Sequence, residues 1–165
     1  NEVADYWEQV VKVNLWQQER IWRIIIKNLF GTLSEKRIAI LGFSFKSNTN
    51  DTRQSPAINI SKYLFQEGAK LAFYDPKVSE IQIISSFEEF KNAETFEICE
   101  SAIQACVGAD AVIVLTEWQE FKYLDWSSIY KSMRKPAWVF DTRILLEKDK
   151  LKEIGFEVWT LGTPF

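Results

Sequence analysis

The sequence predicts a doubly wound α/β domain with a long helix in front of it, and three observations carry that expectation. Short apolar runs alternate with amphipathic stretches from Lys36 onward. Several of those runs, such as Val112 to Leu115, lack the polar alternation of a half-exposed strand. They belong to strands covered on both faces, as in a parallel sheet. Residues 3–30 instead repeat apolar side chains every three or four positions, the period of a helix.

In order along the chain, the leading helix runs from Val3 to Phe30. Trp7, Val10, Val11, Ile21, Trp22 and Ile25 form its main stripe, Asn14 and Gln18 interrupt that stripe, and Trp16 and Ile24 lie off it. A helix apolar on more than one side calls for more than one packing partner. "FGTLSEK" supplies a glycine stop and a polar link. "RIAILG" reads as the first strand, and Ser55-Pro56 opens a helix to about Glu67, serine as N-cap and proline at the first helical position. "KLAFYD" is the second strand. Pro76 to Glu100 reads as a connection holding a short strand near "FEIC". "SAIQACVG" is a helix, "DAVIVLT" a buried strand, "DWSSIYKSM" a helix and "AWVFD" another buried strand. "LEKDKLKEIG" and "FEVWTL" close the pattern with a helix and a strand. The whole is a Rossmann-like doubly wound parallel sheet, with the expected strand order 3-2-1-4-5-6.

Composition narrows the function. A chain of 165 residues with 47% hydrophobic content fits one domain with an accessory element. Its 20 basic and 23 acidic residues leave a net charge of −3, which speaks against a general nucleic-acid binder but leaves room for a local cationic pocket. No apolar run reaches membrane-spanning length, since "IWRIIIKNLF" is interrupted by Arg23 and Lys27. The start at Asn1, without Met or leader, reads as a piece of a longer protein. Cys99 and Cys106 do not form a CxxC pair, so neither a disulfide scaffold nor a metal site is expected and a cytoplasmic location fits. The absence of histidine excludes a histidine base or metal ligand within this chain. Seven tryptophans read as core and interface packing.

The loop "GFSFKSNTNDTRQSPA" after the first strand carries Lys46 and Arg53 and is longer than its connection requires. Ligands of such sheets bind beyond the carboxyl ends of the strands. Lys46 follows the first strand, Thr116 to Trp118 the fourth, and Arg143 the fifth, so the expected order sets all three at one edge. Two cations from separate strands suit a diphosphate, Arg as a planar fork and Lys as a point charge, with the helix start at Pro56 adding its N–H groups. Taken singly, Lys46 and Arg53 read equally well as solvated charges, and Arg143 as a partner of Asp141 or Asp51; their shared edge favours a site. Asp75 ends the second strand where a dinucleotide fold often sets an acid against a ribose. That reading needs G-x-G-x-x-G, whereas "GFSFKS" has one glycine and a bulky Phe43 at the close approach. Asp75-Pro76 is therefore expected to be a strand-ending turn, and complete NAD binding by this domain alone is not expected.

"LGFSFKSNTNDTRQSPA", "YDPKV", "GADAVIVLTEWQEF" and "FDTR", preceded by "EVADYWEQVVKVNLWQ", resemble in order and spacing the C-terminal part of UDP-glucose 6-dehydrogenases, in the UDP-glucose/GDP-mannose dehydrogenase family. The resemblance implies that residues 1–32 end a central dimerisation helix and that 33–165 form a UDP-binding domain. It implies that Phe45, Lys46 and Arg143 contact the nucleotide sugar, and that Arg53 reaches NAD held mainly by a separate N-terminal domain. The enzymes it resembles are homodimeric through that helix. They oxidise UDP-glucose to UDP-glucuronate with two NAD+ through a cysteine thiohemiacetal and thioester. Neither Cys99 nor Cys106 sits in the nucleophile's motif, so the resemblance places the nucleophile upstream and the present chain alone is expected to be inactive. "TEWQEF" and "DTR" lean toward UDP-glucose over GDP-mannose or UDP-N-acetylmannosamine. A non-catalytic nucleotide-binding or assembly domain, with the Trp-rich helix as a protein-binding face, is the reading from another class.

Overall fold

The computed structural model describes residues 1–90, 94 and 96–163. Helix α1 (Glu2–Asn28) leads into strand β1 (Arg37–Leu41), followed by α2 (Pro56–Gln66) and β2 (Lys70–Tyr74). Next come α3 (Glu80–Ser85), a 3-10 turn at Glu88–Phe90, β3 (Phe96–Ile98), α4 (Ala102–Cys106) and β4 (Ala111–Val114). The chain continues through α5 (Gln119–Lys122), α6 (Trp126–Ser132), β5 (Trp138–Asp141), α7 (Lys148–Ile154) and β6 (Glu157–Thr160). Among the described residues six strands form one sheet of order β3-β2-β1-β4-β5-β6, and every pairing is parallel. The doubly wound, Rossmann-like sheet with a long helix before it is thus the observed fold.

The period-2 alternation of each strand divides the core into two layers. Ile38, Ile40, Ala111, Ile113 and Phe140 face α1 and α2, and pack with Ile25, Ile60 and Leu64. Ala39, Leu41, Val112, Val114 and Val139 face α4, α6 and α7, and pack with Ala105, Ile129 and Leu151. On the first face an aromatic cluster fills the β1–β2–β3 side. Phe43 meets Phe73 and Phe87 edge-on at 5.7 Å, and Phe73 stacks on Phe87 at 5.4 Å. Each such pair adds about 1 kcal/mol beyond its burial.

The connection after β2 is more ordered than a structureless link. Ser79 and Gln82 form a reciprocal capping box that starts α3, and β3 is confirmed at the "FEIC" segment. The parts of this connection at 91–93 and 95 lie outside the described residues. Helix α1 departs from its expected packing. Ile24, Ile25 and Leu29 are buried, and Trp22 stacks on Tyr63 of α2 at 5.0 Å. Trp7, Val11 and Trp16 are more than half exposed, and the buried residues of α1, Ile24 and Ile25, lie in its last two turns.

Gly42, directly after β1, fixes how closely β1 and β4 end. Its φ is +93°, and an added Cβ would stand 2.5 Å from Thr116 Cβ and 2.6 Å from Thr116 N. Both conditions demand glycine. Gly42→Ala should therefore destabilise the fold by about 3 kcal/mol, read as a lower denaturant midpoint; an unchanged midpoint would show that the β1 and β4 ends can separate freely.

Candidate functional site

A cleft of about 770 Å³ opens at the carboxyl ends of β1, β4 and β5, within the size range of small-molecule sites. Phe45 and Lys46 enter it from the loop after β1, Leu115 from the end of β4, and Thr142 and Arg143 from the end of β5. Gln54, Pro56 and Asn59 supply the α2 side. The opposite wall is α1, through Asn14, Gln17, Gln18 and Ile21. Asn14 and Gln18, which break the apolar stripe of that helix, break it where it faces the cleft. Gln18 Oε1 accepts from Asn59 Nδ2 at 3.0 Å, tying the two helices together, whereas Gln17 Oε1 is buried without a hydrogen-bond partner.

Arg143 is held in place by acceptors. Its Nε donates to Leu115 O at 2.9 Å and Nη2 to Phe45 O at 3.1 Å. Glu117 Oε2 lies 3.2 Å from Nε, an ion pair off the N–H axis that leaves this oxygen without a hydrogen bond. Asp141 does not pair with the guanidinium. Its carboxylate instead accepts the backbone N–H groups of Arg143, Leu145 and Leu146 at 3.1, 2.8 and 2.7 Å. That network supports Ile144 in the left-handed region, at φ +55°, which a β-branched residue adopts only under constraint. The Nη1 hydrogens of Arg143 have no hydrogen-bond partner among the described residues.

The loop before α2 is pinned from several sides. Phe45 N donates to Asp51 O at 2.7 Å, Ser44 Oγ to Lys46 O at 2.8 Å, and Ser47 N to Glu117 Oε1 at 3.3 Å. Asp75 does more than end β2. Oδ1 accepts from Lys77 N and Val78 N, the expected turn, while Oδ2 accepts from Phe43 N, Ser44 N and Trp118 Nε1 at 2.7, 3.0 and 3.1 Å. The backbone N–H groups that a dinucleotide fold would offer to a pyrophosphate are therefore occupied, and the residues present do not fit a dinucleotide at the β1 turn. The start of α2 likewise has few free donors: Ser55 Oγ accepts from Ala57 N, and Ser55 O from Ile58 N. Its contribution is the helix dipole rather than an N–H cradle.

A profile described as the UDP-glucose/GDP-mannose dehydrogenase family, UDP binding domain, matches residues 39–148. The chain belongs to that family. The UDP-glucose 6-dehydrogenases of Caenorhabditis elegans, Drosophila melanogaster and Gallus gallus are 44%, 45% and 46% identical to it. The matches cover 98%, 99% and 98% of this chain and 34%, 36% and 34% of those proteins. The chain thus spans about a third of the length of these relatives. Among solved structures, a UDP-D-ManNAc dehydrogenase from Pyrococcus horikoshii aligns at a TM-score of 0.67 with 27% identity, over 88% of this chain and 30% of its own. A UDP-glucose dehydrogenase from Pyrobaculum islandicum shares the fold at a TM-score of 0.67 and 20% identity, over 91% of this chain and 32% of its own.

In this member of the UDP-glucose/GDP-mannose dehydrogenase family, Lys46, Phe45 and Arg143 share one cleft and Arg53 does not. Arg53 is 88% exposed and binds Asp51 through Nη2 and Oδ2 at 2.8 Å, which holds the Asp51 carboxyl down at about 2. Reading the sequence alone missed the structural part played by Asp75 and the amide wall of α1. The interrupted stripe at Asn14 and Gln18 was a visible signal for that wall, whereas nothing local marks an acid that bonds residues at the ends of β1 and β4. No group of three or more metal-binding side chains occurs among the described residues, and no helix there is long and apolar enough to cross a membrane.

Cys99 and Cys106 are free and buried. Burial pushes the Cys99 thiol up to about 11, helped by Glu97, and burial pushes Cys106 up to about 12. Almost no thiolate exists at neutral pH, so neither group is an activated nucleophile. A thiolate-titrating disulfide reagent should react with both on the order of a hundredfold more slowly than with an unhindered thiol near neutral pH, and rapidly once the chain is unfolded. Fast labelling of the folded chain would contradict the burial of both groups.

Proposed function

We propose that this chain is the UDP-sugar-binding portion of an NAD-dependent UDP-glucose 6-dehydrogenase. The observation that carries the reading is the convergence of Lys46 and Arg143, from loops after β1 and β5, on one cleft of about 770 Å³. A diphosphate matches them, Lys46 acting as a mobile point charge and Arg143 as a fixed fork. The amides of Asn14, Gln17 and Gln18 suit the neutral part of the ligand, and a hydroxyl or imide N–H would satisfy the unpartnered Gln17 Oε1. Phe45, 46% exposed at the rim, offers an apolar edge beside the cation. The identity to UDP-glucose 6-dehydrogenases across nearly the whole chain supports UDP-glucose as the sugar nucleotide.

Under this reading the remainder of such an enzyme supplies the dinucleotide site and the cysteine that forms the thiohemiacetal and thioester, in the cytoplasm. NAD supplies the hydride acceptor for both oxidations. This chain grips the UDP, fixes the sugar relative to the missing centre and shields one side from water. Arg53 stands clear of the cleft with its guanidinium exposed, which suits a contact with cofactor held elsewhere.

Calorimetric titration of the chain should show binding of UDP and UDP-glucose, weaker binding of GDP-mannose, and none of NAD. Lys46→Ala and Arg143→Ala should each weaken UDP binding by about 1.5–3 kcal/mol, the strength of a charge-assisted hydrogen bond. The chain given UDP-glucose and NAD+ should form no NADH at enzymatic rates. Unchanged affinity in both variants would reject the cleft as the site, and NADH formation would reject the division of labour.

The N-terminal half of α1 supports a homodimer through that helix, with residues 1–32 as the helix end and 33–165 as the nucleotide domain. Tyr6, Trp7 and Val11 stand on it more than half exposed, with Trp16 just past the midpoint exposed as well. Sedimentation should show a concentration-dependent dimer that Trp7→Glu shifts toward monomer by about tenfold in dissociation constant. A wild-type chain that stays monomeric at high concentration would remove this arrangement.

A further inference from the structure

Asp75 is only 9% exposed and forms no ion pair among the described residues. Five N–H donors stabilise it: two from its own turn, two from the β1 turn and one from Trp118. The β1-turn donors are the backbone N–H groups of Phe43 and Ser44, directly after Gly42, where a glycine-rich turn would meet a ligand's pyrophosphate. Phe43 cannot accompany such a ligand, because its ring is buried against Phe73 and Phe87. From Ser44 the restraint passes outward. Ser44 Oγ donates to Lys46 O at 2.8 Å, Thr116 Oγ1 donates to Ser44 O at 2.8 Å, and Phe45 O receives Arg143 Nη2 at 3.1 Å. Both cations of the cleft are thus linked to the segment that Asp75 anchors.

We propose that Asp75 is a built-in anion for the β1 turn, a positioning residue that excludes a ligand phosphate there and holds the Phe45–Lys46 segment over the neighbouring cleft. The inference rests on the nucleotide reading for its consequence, since the segment it holds is the one that would grip UDP. Its chemistry is specific to a carboxylate. All five partners are donors, so an amide, which must present its own N–H₂ to one side, satisfies at most the three on Oδ2 and sets its hydrogens against the other two. The device also gives a physical reason for a dinucleotide-type sheet to refuse a dinucleotide. The anion place at the switch point between β1 and β4 is filled from within, and the remaining cationic space lies one step over, against β5 and α1.

The test uses Asp75→Asn, Asp75→Gly and Trp118→Phe, with folding checked by circular dichroism, and two readouts. The first is the rate of tryptic cleavage after Lys46 and Arg53. The second is calorimetric affinity for UDP. Asp75→Asn should raise the cleavage rate and weaken UDP binding by about tenfold or more, and Trp118→Phe, which removes a single donor, should do both to a smaller degree. In Asp75→Gly, formate fits the vacated carboxylate position and should slow cleavage and restore UDP affinity. In the wild-type chain formate can only compete for the cleft, so its effect there has the opposite sign. Equal cleavage and equal UDP affinity in Asp75→Asn and wild type would overturn the inference, as would loss of affinity in Asp75→Gly that formate leaves untouched. Should Asp75→Gly not fold, Asp75→Asn and Trp118→Phe decide the matter. A wild-type chain that fails to bind UDP would reject the nucleotide reading, while the cleavage rates would still decide whether Asp75 holds the loop.

Discussion

A buried carboxylate surrounded only by N–H donors is an all-or-nothing constraint. Each unsatisfied group in such a place costs about 1–3 kcal/mol, so the chain segments that carry the donors must arrive together. Asp75 imposes this on the ends of β1, β2 and β4, through Phe43 and Ser44, Lys77 and Val78, and Trp118. Asp141, 1% exposed, imposes it at the end of β5, where three backbone N–H groups close on it. The two acids stand at the carboxyl ends of their strands and serve opposite flanks of the cleft. One shapes the segment bearing Lys46, the other the turn bearing Arg143. The edge that carries the two cleft cations is thus organised in part by the protein's own acids, which hold the backbone of the loops rather than the cationic groups themselves.

This arrangement separates topology from ligand class. The parallel order β3-β2-β1-β4-β5-β6 is shared with dinucleotide-binding sheets, and with it the general rule that ligands gather at the strand ends. What a given sheet accepts there is decided by local chemistry at a few positions. Here one glycine, a phenylalanine turned into the core and a self-supplied acid close the usual place. Membership in the UDP-glucose/GDP-mannose dehydrogenase family, within its UDP binding domain, accords with a sheet of that kind.

The fold was legible where the signal was periodic. The buried strands at Ala111–Val114 and Trp138–Asp141 announced themselves as unbroken apolar runs, and Ser55-Pro56 marked the start of α2 to the residue. Lys46 and Arg143 were legible as cleft cations because strand order alone fixes which loops share an edge. Helix α3 was signalled by its S-x-x-Q box, which a search for hydrophobic period passes over. Arg53 was legible as a cation apart from the Lys46–Arg143 pair, but its bond to Asp51 was not, since that bond follows from the local turn rather than from the sheet. The reach of Asp75 was illegible for a plainer reason. Hydrogen bonds across 32 and 43 residues of sequence exist only after the sheet has assembled, and no residue type at position 75 foretells them.

The leading helix joins two very different surroundings in one rigid body. Twenty-seven residues in helical form make a rod about 40 Å long. Near its far end Ile24 and Ile25 are clamped into the core, midway Gln17 and Gln18 form a wall of the cleft, and its first turns stand clear of the domain. A rod pivoting about a clamp converts force on its free arm into displacement at every point between. A load on the first turns of the helix would thus reach the cleft wall directly through the rod, opposed there by the tie from Gln18 to Asn59.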